Sequence, residues 1–138
     1  MKKLFFALLA FFAVACTTTR QEEVSKLKAE VLEVHDRVMV QRDEVLKLRR
    51  QLREVADSSA ATLEAAGQLS AADKAMMQWM HEFKVPEEKT SAPEDIISYL
   101  QSEKKKMEAI EKQTEMALKH GEEILANASP AGAQEEEQ

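Results

Sequence analysis

Three His residues each stand four positions from a Met: His35 with Met39, Met77 with His81, and Met116 with His120. On a helix that spacing puts imidazole and thioether on one face, one turn apart, as soft donors for copper(I) are arranged. Helix geometry divides the pairs. At about 1.5 Å per residue, counting up a first helix and back down a second sets His35 level with His81 and Met39 level with Met77, while His120 lies far above. The first reading of these residues is packing, with Met76, Met77 and Met80 filling gaps around Trp79 and Phe83 through sulfur to ring contacts. The alternative is a ligand layer between helices 1 and 2, for copper(I), haem or a small apolar molecule, whose credible metal set is His35, Met39, Met77 and His81. No cofactor is expected under the first reading. Other chemistry is sparse. His35 precedes Asp36, but neighbours on a helix diverge by about 100° and are not expected to act as base and orienter. Glu122, Glu123 and the other carboxylates read as solvated faces, the run Lys104-Lys105-Lys106 reads the same way, and no catalytic residue is assigned.

Cys16 is the second chemical feature, and as the only Cys it excludes a disulfide within the chain. Lys2 and Lys3, the apolar run from Leu4 to Val14 and the small Ala15 form a targeting segment. At about a dozen residues the run falls short of the roughly 20 that span a bilayer. Ala13-Val14-Ala15-Cys16 resembles the lipobox of bacterial lipoproteins, which implies diacylation of the Cys16 thiol, cleavage before it and Cys16 as the new N-terminus. The departure is Ala13, where Leu is commoner, and the other reading is an ordinary secretory signal cut after Ala15. Removing residues 1–15 as a signal peptide takes two Lys, moving the net charge from −6 to −8. Nucleic acid is therefore not an expected partner, and the membrane is to be held by acyl chains. Thr17-Thr18-Thr19 carries no Asp where lipoproteins are commonly retained in the inner membrane. By resemblance to lipoprotein sorting, the destination is the outer membrane with the domain in the periplasm, a surface orientation being the alternative. The terminal Gln138 differs from the terminal Lys by which the small murein lipoprotein joins peptidoglycan.

These residues need elements to position them, and composition points to helices. The 138 residues are 44% hydrophobic, 32% charged and 5% aromatic, with three Gly and three Pro, too little turn punctuation for a sandwich or a doubly wound fold. Val24, Val31, Val38, Val45 and Leu52 repeat at one heptad position and Leu27, Val34, Leu48 and Val55 at the other, interrupted only by Gln41. Leu32, Met39 and Leu46 form a flanking row, suited to a helix with two neighbours. The periodicity predicts helices over about 21–56, 60–84 and 92–126. Asp57-Ser58-Ser59 supplies the first turn and cap, and Leu63, Leu69, Ala72, Met76, Met80 and Phe83 the second apolar face. A break at Gly67 to Ser70, with Asp73 completing a new capping box, is the alternative for helix 2. Ser91 caps helix 3, with Pro93, Glu94 and Asp95 in its first turn, and Ile96, Leu100, Met107, Ile110, Ala117 and Ile124 face inward.

The expected architecture is all-α, an up-down-up three-helix antiparallel bundle with a coiled-coil-like seam. Residues 16–20 serve as a short tether, the 85–91 loop lies at the membrane-proximal base and 127–138 form a disordered acidic tail. Val34-His35-Asp36-Arg37-Val38-Met39, Glu44-Val45-Leu46-Lys47-Leu48 and the block from Ala72 to Lys84, with its Met76-Met77-Gln78-Trp79-Met80 core, resemble a family of small Bacteroidota lipoproteins. The family goes by "viral A-type inclusion protein", a name that reflects generic coiled-coil similarity to a viral protein. The likeness covers about residues 22 to 125. It implies a lipid-anchored helical protein and no established activity, leaving a structural or interaction module with an envelope protein or a second copy as partner.

Overall fold

The computed structural model describes residues 2–54 and 59–128, with side chains from Thr19 onward. Among them are three helices and no strand: α1 (Lys2–Glu54), α2 (Ala60–Glu82) and α3 (Pro93–Ala128). The all-α three-helix bundle is as the periodicity requires. Offsets between paired residues give its topology. Glu30 with Lys104 and Arg37 with Glu111 are both 74 residues apart, so α1 and α3 run parallel. His35 with Met80 and Arg42 with Asp73 converge in number, so α2 runs antiparallel to α1. The loop after α2 lies beside the start of the bundle, where Gln21 Nε2 donates to Glu88 at 2.7 Å and Arg20 faces Glu94 at 3.7 Å.

Several boundaries differ from the sequence reading. Helix 1 does not begin at residue 21: α1 is continuous from Lys2, and the stretch 16–20 read as a tether is helical. Neither Gly nor Pro occurs before Gly67, so no residue there interrupts the backbone ladder. Ser59 caps α2 as expected, its Oγ accepting from the Thr62 N–H at 3.2 Å, while Val55, Asp57 and Ser58 lie outside the described residues. Helix 2 is unbroken at Gly67, which faces open space, and Asp73 forms no new cap because Arg42 and Arg49 hold it. The cap of α3 falls on Ala92, whose carbonyl accepts from Ile96 N–H, one residue beyond Ser91. Asn127 and Ala128, assigned to the tail, end α3; residues 129–138 lie outside the described residues.

The heptad stripe of α1 is buried from Val24 to Leu52 except at Leu27 and Gln41, which are half-buried, and the facing stripes are Thr62, Ala65, Leu69, Ala72, Met76 and Trp79 on α2 and Ile96, Leu100, Glu103, Met107, Thr114 and Ala117 on α3. Leu63, placed inward from sequence, is 64% exposed. The stripe of α2 alternates steps of three and four from Thr62, which leaves Leu63 on the outer side. The flanking row on α1 is only half covered, with Leu32 open to solvent.

The apolar interior divides in two. One cluster holds Val31, Val34, Val38, Met76, Trp79 and Met107; the other holds Val45, Leu48, Leu69, Ala72 and Ala117. Between them, Gln41 interrupts the seam with a buried, unpartnered Oε1, and Thr114 donates its hydroxyl to the Ile110 carbonyl at 2.8 Å. Inter-helix ion pairs ring this layer: Arg37 grips Glu111 at 2.6 and 3.2 Å, and Arg42 holds Asp73 at 2.7 Å. In the upper cluster Gly121 lets α3 approach closely, since a Cβ there would stand 2.7 Å from Leu48 Cδ2. Val38→Ala and Val45→Ala, at positions buried on both sides of the polar layer, are expected to lower unfolding free energy by about 1 to 3 kcal/mol each in urea titration.

Candidate functional site

The concentration of polar and aromatic contacts lies in the lower cluster, around Trp79. Trp79 occupies an inward position of α2 three residues before its end and is buried, so its indole N–H must find an internal acceptor. Glu103 provides it. Its Oε2 accepts from Trp79 Nε1 at 2.8 Å, and its Oε1 accepts from Lys106 Nζ, one turn along α3, at 2.7 Å. Glu103 is 4% exposed, so both oxygens are satisfied where water is largely excluded. Bonding to Glu103 raises the Lys106 pKa above the usual lysine value.

Trp79 also anchors a stack of rings. Phe83 stacks on it at 4.5 Å between centroids with the planes 24° apart, Tyr99 of α3 continues the stack at 6.1 Å, and the Tyr99 hydroxyl accepts from the Lys84 N–H at 2.8 Å. On the other side the His35 ring of α1 is tilted against Trp79 at 5.8 Å. One indole thus touches groups from all three helices.

His35 makes two further contacts. Its Nδ1 stands 2.9 Å from Asp36 Oδ1, and its Nε2 stands 3.3 Å from Met80 Sδ. The first corrects the expectation for adjacent residues: divergent Cβ directions do not prevent a flexible Asp side chain from folding back onto the ring. A carboxylate accepts only, so Nδ1 is the donor to Asp36; the other ring nitrogen lies against the Met80 sulfur, donating to it where it carries a proton and presenting a lone pair where it does not.

The four candidate ligands are not brought together. In level the helices fall one residue from the count, α1 and α2 pairing 35 with 80 and 42 with 73. The face was wrong. Met77 is 44% exposed and His81 is exposed, both on the outer side of α2, while Met76 and Met80 turn inward; Met39 packs against the lower cluster. Trp79 at an inward position dictates this, since Met76 lies one turn before it on the same face and Met77 is rotated by about 100°. His120 binds Gln68 through Nδ1 at 2.9 Å, far from the other two His. Among the described residues, no three His, Cys, Asp or Glu side chains gather as a metal would require. Cys16 falls within α1, and its side chain lies outside those described.

Two charged features read as solvated are built into helix contacts instead. Glu103 is the buried carboxylate just described, and Lys104 reaches across to Glu30 on α1 at 2.7 Å, while Lys106 bonds Glu103 within α3. Burial of a Glu at an inward position was announced only by its heptad placement and by a Trp needing an acceptor. An open groove of about 350 Å³ lies between α1 and α3, lined by Glu44, Lys47, Leu48, Leu118, Glu122 and Leu125, and no His borders it. No helix among the described residues is long and apolar enough to cross a membrane.

Compared with known proteins, the chain matches no family model, no curated protein and no solved structure.

The hydrogen bond from Lys104 lowers the Glu30 pKa below its ordinary 4.5 and raises that of Lys104 above 10.5. A depressed carboxylate stabilises the fold above its unfolded pKa, and that contribution disappears as pH falls through the folded value. Glu30→Gln is therefore expected to melt below the parent at neutral pH and to converge with it on acidification beneath the ordinary Glu range. Thermal melts from pH 7 to 3 check this.

Proposed function

We propose that the protein is a lipid-anchored, non-catalytic module of the bacterial cell envelope, held by acyl chains on Cys16 at the outer membrane with its bundle in the periplasm. The observation that carries the reading is the N-terminal pattern of Lys2-Lys3, an apolar run and Ala15-Cys16, placed on the same helix that supplies Val24 to Leu52 to the core. An acyl group at Cys16 would lie about 12 Å along the helix from Val24, so the membrane surface and the base of the bundle would be close neighbours. The resemblance to small Bacteroidota lipoproteins supports the same compartment.

The role within the envelope is interaction and not turnover. The three helices spend their buried positions on one another, through two apolar clusters and a ring of ion pairs, and the surface they leave consists of long helical faces. Large apolar side chains stand on those faces, among them Val40 on α1, Leu63 on α2 and Met116 on α3. A second envelope protein, or a second copy of this chain, would be read by such a face. Copper(I), haem or an apolar molecule as a bound ligand is the competing reading, and the contact of His35 with Met80 favours only its metal form.

The test is the state of Cys16. In the native host, the protein is expected to incorporate labelled palmitate and to stay in the membrane fraction after a high-salt wash, while Cys16→Ser is unlabelled, folded and released. A Cys16→Ser protein that remains in the washed membrane fraction contradicts the anchor.

A further inference from the structure

We propose that His35 and Met80 form a site for a soft monovalent cation, copper(I) by chemistry, on the flank of the α1–α2 interface beside Trp79. This does not depend on lipid anchoring, and it replaces the ligand set read from sequence with the pair the fold brings together.

The contact at 3.3 Å between His35 Nε2 and Met80 Sδ joins two lone-pair donors. With Nδ1 donating to Asp36, the neutral form of the ring would turn the Nε2 lone pair toward the Met80 sulfur. In that form a soft cation can bridge the two atoms. The spacing fits. A first-row metal takes imidazole nitrogen at about 2.0 Å and sulfur at about 2.3 Å, so two such donors on one ion stand ~3.5 Å apart at a tetrahedral angle. The thioether selects a soft, low-charge ion over calcium and magnesium, which take hard oxygens, and over zinc, which joins imidazole to thiolate or carboxylate.

The surroundings match a metal-binding His. Its other nitrogen is oriented by a carboxylate, the usual support for a ligating imidazole, and Asp36 adds negative charge nearby. His35 is 22% exposed at its side chain, so an ion can reach it from solvent without unfolding the bundle. Met39 and Met76 lie one turn along α1 and α2 from the pair, Met76 within the lower cluster and Met39 packed against it. Trp79, whose ring lies 5.8 Å from that of His35, is close enough for its emission to respond to an ion held there.

Trp79 is the only Trp in the chain, which makes its emission a local reporter. The probe is silver(I), a redox-inert stand-in for copper(I), added in chloride-free buffer to the full chain carrying Cys16→Ser, which removes the competing thiol. The expected result is saturable quenching of Trp79 emission at one equivalent, reproduced with copper(I) under anaerobic reducing conditions. His35→Gln and Met80→Leu abolish it, and Met77→Leu with His81→Gln leaves it intact. Asp36→Asn, at a side chain 78% exposed and remote from the core, is expected to weaken binding about tenfold with an unchanged helical spectrum, which guards against loss through misfolding. Absence of saturable quenching in the Cys16→Ser parent, or quenching that persists in the folded His35→Gln, Met80→Leu double variant, overturns the site.

Discussion

The hydrogen bond from the buried Trp79 indole to the Glu103 carboxylate is the constraint around which the lower half of the bundle is arranged. Apolar seams tolerate sliding, because one Val in a heptad repeat packs much like the next. A buried N–H and a buried carboxylate do not, since each left unpaired costs about 1 to 3 kcal/mol or more. Joining α2 to α3 at 79 and 103 therefore fixes the level at which the two helices meet. From that level follow the Phe83 and Tyr99 stack below and the place of His35 on the remaining helix.

The upper half is organised differently. Small residues on α2 and α3, Ala65, Ala72, Ala117 and Gly121, allow close approach to Val45, Leu48 and Leu52, and the cluster contains no buried ion. Between the halves, Gln41 and Thr114 put polar atoms where the repeat would carry apolar ones, and Arg37 and Arg42 tie α1 to each neighbour at that level. A seam that is polar at one layer disfavours registers in which that layer meets an apolar one, the role a single polar residue plays in coiled coils. The bundle thus carries two markers of register, one in its polar layer and one at Trp79.

Much of this architecture is legible in the residues. Val24 to Leu52 at strict sevens, Ser59 before an apolar stripe and Pro93 with Glu94 and Asp95 each announce an element by a mechanism that acts within one or two turns. The failures share a cause. The alternative ligand layer fails at Met77 and His81 because vertical level can be counted along a helix, whereas azimuth depends on which residue the partners bury, and Trp79 takes that position. Glu103 and Lys104 looked solvated because charge alone carries no information about a partner that lies on another helix, respectively Trp79 and Glu30. The continuity of α1 through residues 16–20 carries no signal in a processing motif, and follows from a backbone that meets no Gly or Pro before residue 67.

For function, the consequence is a division between the N-terminal segment, which bears on where the protein resides, and the lower cluster, where aromatic, imidazole and thioether groups converge on one indole. The dependence of that cluster on Trp79 and Glu103 is measured most directly by a double-mutant cycle with Trp79→Phe, Glu103→Met and the pair combined, followed by urea unfolding. The account predicts a coupling free energy of about 1 to 2 kcal/mol, because each single variant strands a buried polar partner and the double variant strands none. Additivity within about 0.3 kcal/mol would contradict it.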